Sequence, residues 1–462
     1  MSQVRFTMAS LAHQTAGRLY GADVEFTSVS IDSRSLASGA LFVALKGPNF
    51  DGHAFAENAV KQGAVGLLVD HELPVSVPQV VVPEVLAALS SFASQWRQQF
   101  TCPVIAVTGS NGKTTTKEML GSILSQCGNT LVTRGNLNNH IGVPLTLLTL
   151  NEHHRAAVIE MGANHQKEIA HLAELAKPTI GLVTNAGAAH LEGFGGVEGV
   201  ARGKGELFEA LTASDVAIIN ADDPQAQYWK AHCGTKNIYT FGIDQPADFT
   251  ASKVLAHHDE SGFHTRFELI APTGACGVSL QLAGIHNLRN ALAAAAAAYA
   301  AGATLEQIQA GLDAMRPVGG RLQPRPALQG AFMIDDSYNA NPNSVRAGID
   351  ALRSRGGRRW LIFGDMLELG QGSAALHTEI GVYAKDAGVE RLLAIGKDAQ
   401  HSVNAFGAGA QWFSSLEELI ESAKASLEPG VTVLIKGSRG NRLERAVTAL
   451  SVASDAAMST GH

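Results

Sequence analysis

Hydrophobic and polar positions along the chain fall into a repeating block: a short apolar run rich in β-branched residues, a polar or glycine-containing break, then a stretch with helical spacing. The sharpest block is the apolar run 104–107 followed by Thr108-Gly109-Ser110-Asn111-Gly112-Lys113, after which Met119, Leu120, Ile123 and Leu124 share one face of a helix predicted over 114–126. The same rhythm predicts strands over 155–160, 179–184 and 215–220, with helices near 166–176 and 197–212 between them. Apolar strands alternating with helices predict a parallel sheet covered on both faces.

Upstream, two short strands, one from Val29 and one within 39–47, flank a turn, and Asp51-Gly52-His53 opens a helix running through Lys61. Strands over 64–69 and 80–82 follow, and Pro83 is placed as the first residue of a helix reaching about Gln99. Downstream, 249–282 switches to strict alternation with turns at Ser261-Gly262 and Pro272-Thr273-Gly274, the pattern of an antiparallel pair or meander. The alanine run 291–301 reads as a helix packed closely against a neighbour. Met315-Arg316-Pro317-Val318-Gly319-Gly320-Arg321 punctuates a hinge. Beyond it, strands over 331–335, 359–363, 391–394 and 431–435 alternate with helices and predict a second open sheet.

A chain of 462 residues exceeds one core, and the pattern divides it in three. The expected fold class is α/β: a small N-terminal α/β domain (1–82), a central P-loop ATPase-like domain with a mostly parallel sheet (83–316), and a C-terminal Rossmann-like open sheet (317–462). A net charge of −7 argues against bulk attraction to nucleic acid or anionic membrane. Cys102, Cys127, Cys233 and Cys276 are scattered, which suits thiols in a reducing compartment better than a disulfide frame or a zinc site. Residues 1–17 lack the charged-then-apolar pattern of a signal peptide, and no apolar run reaches the length of a membrane span, so a cytoplasmic protein is expected.

Chemistry enters at the strand ends. Strand, glycine loop and helix turn backbone N–H groups and a helix N-terminus toward a phosphate, with Lys113 to neutralise it and the Thr114 hydroxyl to ligate Mg2+. The spacing, Gly-x-x-Gly-Lys-Thr, is two residues shorter than the usual Walker pattern. A plain glycine turn would need neither lysine nor threonine there. In parallel sheets ligands bind beyond the carboxyl ends of strands. Glu160, Asn185 with His190, and Asp222 with Asp223 all fall at such ends. Each alone reads as a helix cap; together, on the edge that carries the phosphate loop, they favour a metal and nucleotide site. Asn287 and Asn290 either cap the alanine helix or present amides to an adenine edge. Ser33, Arg34, Lys46 and Asn49 either hold a phosphate and a polar ring or are turn chemistry. The C-terminal sheet lacks Gly-x-Gly-x-x-Gly after its first strand, which argues against a nicotinamide or flavin; that strand ends instead in the polar run Asp335-Asp336-Ser337-Tyr338-Asn339-Ala340-Asn341-Pro342.

Over its whole length the chain resembles the Mur ligase family. The resemblance is carried by 108–115, by 136–144 (Asn-Leu-Asn-Asn-His-Ile-Gly-Val-Pro), by Glu160-Met161-Gly162-Ala163, Asn185-Ala186-Gly187 and His190-Leu191-Glu192, and by Gly203-Lys204-Gly205-Glu206. His286-Asn287-Leu288-Arg289-Asn290, Gly320-Arg321, the run 335–342, Gly364-Asp365-Met366-Leu367-Glu368-Leu369-Gly370 and Lys436-Gly437-Ser438-Arg439 complete it. The last three resemble the branch that adds D-alanyl-D-alanine; the diaminopimelate-adding branch carries Asp-Asn-Pro-Arg, which this sequence lacks. The short phosphate loop is the family's own.

The resemblance implies an ATP-dependent amide ligase that activates UDP-N-acetylmuramoyl-tripeptide as an acyl phosphate and lets D-alanyl-D-alanine displace the phosphate, in peptidoglycan precursor synthesis, as a cytoplasmic monomer. It implies that Thr108, Gly109, Ser110, Asn111, Gly112, Lys113, Thr114 and Thr115 hold the nucleotide's phosphates, with Asn287 and Asn290 on adenine and Arg321 and Asp336 reaching the γ-phosphate and ribose. It implies Mg2+ between Thr114 and Glu160, and a second Mg2+ on His190 and a carbamate on Lys204, which on residue type alone is equally a helix-surface charge. Ser33, Arg34, Lys46 and Gly47 would hold the UDP end, Asn138 and Asn139 the muramoyl-peptide section, and Tyr338, Asn339 and Asn341 the incoming dipeptide. Lys113, Glu160, His190, Lys204 and Asp336 would be the catalytic set. A folylpolyglutamate synthase competes, but the N-terminal Asp-Ser-Arg segment argues against it. A phosphate-loop switch or a glycine-loop kinase would leave the polar third-domain run without a task.

Overall fold

The computed structural model describes residues 5–259 and 262–452 and resolves three α/β sheets in chain order. The first has five strands in the order Arg18–Tyr20, Gln79–Val81, Gly66–Val69, Ala40–Val43, Ser28–Ser30, parallel except for Arg18–Tyr20. The second has six parallel strands in the order Thr130–Val132, Ala156–Glu160, Val104–Thr108, Ile180–Val183, Val216–Asn220, Ile238–Phe241. The third runs Gln323–Pro326, Phe332–Asp336, Val431–Lys436, Arg358–Gly364, Arg391–Ile395, Ala410–Phe413, parallel except for its first strand.

All of Val104–Thr108 is buried, as a central strand covered on both faces requires. Its two neighbours in the sheet, Ala156–Glu160 and Ile180–Val183, follow it in sequence on opposite sides. The order therefore reverses at its carboxyl end, where such sheets open a crevice for ligands. The phosphate loop fills that position. The alanine helix, Ile285–Ala300, buries Ala291 to Ala298 completely between this sheet and the meander Thr250–Asp259, Gly262–Ala271, Gly274–Leu280. Side chains of one carbon let the three layers approach closely.

The helix Val85–Arg97 ties the first two domains together. Phe92 packs on Phe6 and Phe26 at ring separations of 5.2 and 6.3 Å, while Trp96 Nε1 donates to Leu150 O at 2.9 Å and Arg97 Nε to Ala176 O at 3.0 Å. Among the described residues no helix is long and apolar enough to cross a membrane.

Several local expectations are corrected. Pro83 is not the first helical residue: the helix is capped at Glu84 and begins at Val85, leaving Pro83 to end the preceding extended segment. The segment at Asp51 opens as a single 3-10 turn, Gly52–Phe55, before the α-helix Ala56–Lys61. Neither Asn287 nor Asn290 caps the alanine helix, because Gly284 occupies the cap and both asparagines lie within it. The expected turn at Ser261 lies outside the described residues. In the two larger sheets four short strands escaped the apolar pattern: Thr130–Val132, Ile238–Phe241, Gln323–Pro326 and Ala410–Phe413. All four are sheet edges, where half the strand faces solvent and the apolar signal fades.

Candidate active site

A cleft of about 790 Å3 lies beyond the carboxyl edge of the central sheet and is lined by residues of the second and third domains. The phosphate loop forms its floor. Gly109 and Gly112 have φ of +140° and +82°, and a Cβ on either would overlap the side chain of Thr184 or Asn290. Lys113 opens the helix Lys113–Leu124 and donates from Nζ to Gly109 O at 2.7 Å and Ser110 O at 3.3 Å, so the ammonium is folded over its own loop. Burial pushes its pKa down; Glu160 opposes this and Arg321 adds to it. Thr108 is buried, with its hydroxyl donating to Met161 O at 2.7 Å, and supports the loop without lining the cleft.

Glu160 ends its strand 2 % exposed. Asn138 Nδ2 donates to Glu160 Oε1 at 2.7 Å, but Oε2 has no hydrogen-bond partner. Its nearest cation is Lys117 Nζ, at 3.9 Å. A buried carboxylate oxygen without a partner is costly. A divalent ion in the cleft would be offered this oxygen, and the Thr114 hydroxyl lines the same cleft, so these residues fit Mg2+. Lys117 went unrecognised in the sequence, although its spacing of four from Lys113 places it on the same helix face. It is fully buried and donates to Thr133 O at 2.7 Å, bracing the segment that carries Asn138.

His190 and Lys204 approach from the next connections. Lys204 is 1 % exposed on the helix Val197–Glu209, with Nζ donating to Ala163 O at 3.0 Å and lying 4.9 Å from the centre of the Phe194 ring. It is therefore not a helix-surface charge. Burial, and then the neighbouring Lys113, push its pKa well below the ordinary lysine value, which favours the uncharged amine. His190 is pushed below the usual imidazole range by burial and then by Lys113, with Glu368 opposing; its Nδ1 is hydrogen-bonded to Glu368 Oε2 of the third domain.

The third domain reaches the loop directly. Arg321 Nη2 donates to Thr114 Oγ1 at 2.9 Å, and its guanidinium lies 4.3 Å over the Tyr338 ring. Asn341 Nδ2 donates to Asn111 Oδ1 at 2.6 Å while its Oδ1 caps the helix Pro342–Arg353. Asp336 lines the cleft but is held by its own domain: Lys436 Nζ donates to Oδ2 at 2.5 Å and Leu322 N to Oδ1 at 3.2 Å. Burial raises its pKa, and Lys436 pulls it back.

The structure thus brings Ser110 to Thr115, Glu160, His190, Asn287, Asn290, Arg321, Asp336, Asn138, Asn139, Tyr338, Asn339 and Asn341 around one cleft, with Lys204 buried beside it. Asn139 also has a local task, its Oδ1 accepting from Ile141 N and Gly142 N. Ser33, Arg34, Lys46 and Gly47 do not line this cleft. They sit in the N-terminal domain, where Arg34 pairs with Asp32 at 2.7 Å, Lys46 lies 3.9 Å from Asp51, and the Ser33 hydroxyl accepts from Asn58 Nδ2 at 3.1 Å.

Comparison with known proteins matches this arrangement over the whole chain. Residues 107–298 match the family model described as the Mur ligase middle domain, 320–439 that of the Mur ligase, glutamate ligase domain, and 25–97 that of the Mur ligase family, catalytic domain. The UDP-N-acetylmuramoyl-tripeptide–D-alanyl-D-alanine ligase of Escherichia coli (strain K12) is 44 % identical over 450 residues, covering 97 % of this chain and 98 % of its own. The enzyme of that name from Bacillus subtilis (strain 168) is 34 % identical, covering 96 % and 98 %. Among solved structures, MurF from Acinetobacter baumannii superposes with a TM-score of 0.89 at 34 % identity, covering 97 % of this chain and 99 % of its own. MurF ligase from Thermotoga maritima in complex with ADP superposes with a TM-score of 0.81 at 28 % identity, covering 91 % and 96 %.

Proposed function

Because the chain belongs to the Mur ligase family, we propose that it couples ATP cleavage to joining D-alanyl-D-alanine to the carboxyl group of UDP-N-acetylmuramoyl-tripeptide. The observation that carries this reading is the meeting of two domains in one cleft: Arg321 on Thr114 and Asn341 on Asn111 place the third domain's polar run against the phosphate loop. A nucleotide switch has no use for that run; a ligase needs an acceptor amine delivered where the phosphate is.

In this reading the loop amides and Lys113 hold the β- and γ-phosphates. The carboxylate oxygen of the tripeptide attacks the γ-phosphorus, ADP departs, and an acyl phosphate forms. The amine nitrogen of the dipeptide then attacks the carbonyl carbon, the C–O bond to phosphate breaks, and the amide, inorganic phosphate and one proton are released. Two anions must approach in the first step, and at 4 Å their mutual repulsion is about 4 kcal/mol per unit charge pair at an effective dielectric of about 20. Lys113 and Arg321 offset it from two sides. Thr114 with Glu160, and His190 with Lys204, would hold Mg2+ ions, which supply further positive charge to the transferring phosphoryl group.

Lys204 has the surroundings that CO2 addition requires, since an uncharged lysine nitrogen is the nucleophile and the product is an anion able to hold a cation. We assign it as the carbamate-bearing residue. Asn287 and Asn290 would face adenine, and Tyr338, Asn339 and Asn341 the dipeptide. Ser33, Arg34, Lys46 and Gly47 would hold the UDP end of a substrate long enough to span two domains. One chain supplies every group named here, which supports action as a monomer.

Phosphate release from ATP tests the reading: the protein is given UDP-N-acetylmuramoyl-tripeptide together with D-Ala-D-Ala, D-Glu, L-Ala or diaminopimelate in turn. Turnover with D-Ala-D-Ala alone is expected. Turnover with any other amine in its place rejects it.

A further inference from the structure

The segment 364–370, Gly-Asp-Met-Leu-Glu-Leu-Gly, has no task in the reaction as described, yet it is built against the metal-ligand candidates. Its Glu368 accepts from His190 across the boundary between the second and third domains. Both residues are non-glycine residues in the left-handed region, His190 at φ +54° and Glu368 at φ +63°. Such conformations are costly and persist where the surroundings over-determine them, characteristically at functional sites. A half-exposed ion pair contributes too little to offset two of them. Glu368 keeps 56 % of its side chain exposed, so the stability of the pair does not explain the geometry.

The segment is anchored over residues 365–367. Asp365 N donates to Asn441 Oδ1 at 3.2 Å, Met366 N to His377 Nε2 at 3.0 Å and Leu367 N to Ser438 Oγ at 2.9 Å. Gly370, at φ +64°, lies against Glu192, two residues beyond His190. With Nδ1 committed to Glu368, the ring of His190 keeps Nε2, which has no hydrogen-bond partner among the described residues, as its one free lone pair. A carboxylate on the far nitrogen of a metal-binding imidazole fixes the tautomer and ring orientation and makes the near nitrogen a better ligand.

We propose that Glu368 is a positioning residue for the second metal ion, acting through His190, and that the second metal site is complete only when the third domain is docked. This rests on the reading of His190 as a metal ligand. Thr114 and Glu160 would hold the first ion from the central domain alone, and the second position would reach full affinity only with Glu368 on His190. Activation of the tripeptide carboxylate is thereby withheld until the domain that delivers the amine is in place.

The test uses the full chain with Mn2+ as the probe. Mn2+ binding is followed by electron paramagnetic resonance in the presence of a non-hydrolysable ATP analogue and UDP-N-acetylmuramoyl-tripeptide, for the wild type and for Glu368→Ala, Glu368→Gln and His190→Ala. Two ions are expected in the wild type. Glu368→Ala should weaken the second by about 10- to 100-fold while leaving the first ion and the nucleotide affinity unchanged. Glu368→Gln, whose amide oxygen still accepts from Nδ1, should recover part of the loss. In metal-free protein, 15N-labelled histidine spectra should show His190 protonated on Nδ1, and the signature should be lost in Glu368→Ala. If His190→Ala loses the second ion but Glu368→Ala keeps it, the proposal is overturned and the ligand reading stands. If His190→Ala also keeps it, the ligand reading fails and takes the proposal with it.

Discussion

Gly112→Ala isolates how far the phosphate loop depends on one absent side chain. Gly112 sits at φ +82°, where an L-residue is disfavoured by about 1–2 kcal/mol. A methyl there would overlap Asn290 Oδ1 and lie 3.0 Å from its Cγ. Asn290 is nearly buried, and its Nδ2 donates to Asn287 Oδ1 at 3.2 Å. It can give way only by breaking that bond and leaving a buried amide unsatisfied, a further 1–3 kcal/mol or so. The two contributions sum to about 2–5 kcal/mol, and the second falls on the pair assigned to adenine. Gly430 supplies the control: its φ is +83°, nothing lies within 4 Å of an added Cβ, and it does not line the cleft. Gly430→Ala should therefore lose the backbone part in chemical denaturation and retain ADP affinity within about twofold. Gly112→Ala should lose both parts in denaturation and bind ADP roughly 5- to 150-fold more weakly by calorimetry, since the about 1–3 kcal/mol that falls on the adenine pair corresponds to that range. Equal denaturation losses in the two variants, or an unchanged ADP affinity in Gly112→Ala, would refute the argument that Asn290 closes over this glycine.

Other variants probe the remaining groups. Glu160→Gln keeps the bond from Asn138 but removes the charge beside the unpartnered oxygen; Mg2+-dependent strengthening of ADP binding should fall at least tenfold, with metal-free binding unchanged. Lys204→Ala should abolish turnover, and a short-chain carboxylic acid should restore part of it; no rescue with substrate binding intact would count against the carbamate. Lys436→Met leaves Asp336 buried without its cation and should destabilise the third domain by about 3–5 kcal/mol, read from denaturant midpoints. His286 has its pKa lowered to about 4, by burial first and then by Lys436 and Arg289. The unfolded chain therefore binds the extra proton between about pH 6.5 and 4, and stability contributed by the neutral ring, on the order of 2 kcal/mol after screening, is lost as pH falls through that window. His286→Gln should flatten the slope of stability against pH there.

Much of the architecture is legible in the chain because buried parallel strands are apolar throughout, which marks Val104–Thr108, Ala156–Glu160 and Val431–Lys436 without reference to anything distant. The edge strand Gln323–Pro326 shows why the rest is not: it holds two prolines, tolerable only where one side of the strand has no partner, and so looks like loop until its neighbour is known. The site divides on similar lines. Lys113 and Glu160 announce themselves by position at strand ends. Glu368 and Lys436 belong to runs whose residue types are noticeable, but their partners, His190 and Asp336, are 178 and 100 residues away. No local pattern encodes that pairing. Conversely, Ser33, Arg34, Lys46 and Gly47 lie in the N-terminal domain outside the cleft, and no local pattern tells how far they stand from the phosphate loop.

The distribution of charge explains why the chemistry needs more than the central domain. Lys113, Lys204 and Glu160 belong to the central domain, and Arg321, Asp336, Glu368 and Lys436 to the segment after the hinge. Lys113 lowers the pKa of both Lys204 and His190, and Lys204 also lowers that of His190. Adding Arg321 to this cluster without an anion to face is unfavourable, and Arg321 already lowers Lys113 further. A triphosphate in the cleft supplies the opposite sign and is expected to strengthen the contact that Arg321 makes with Thr114.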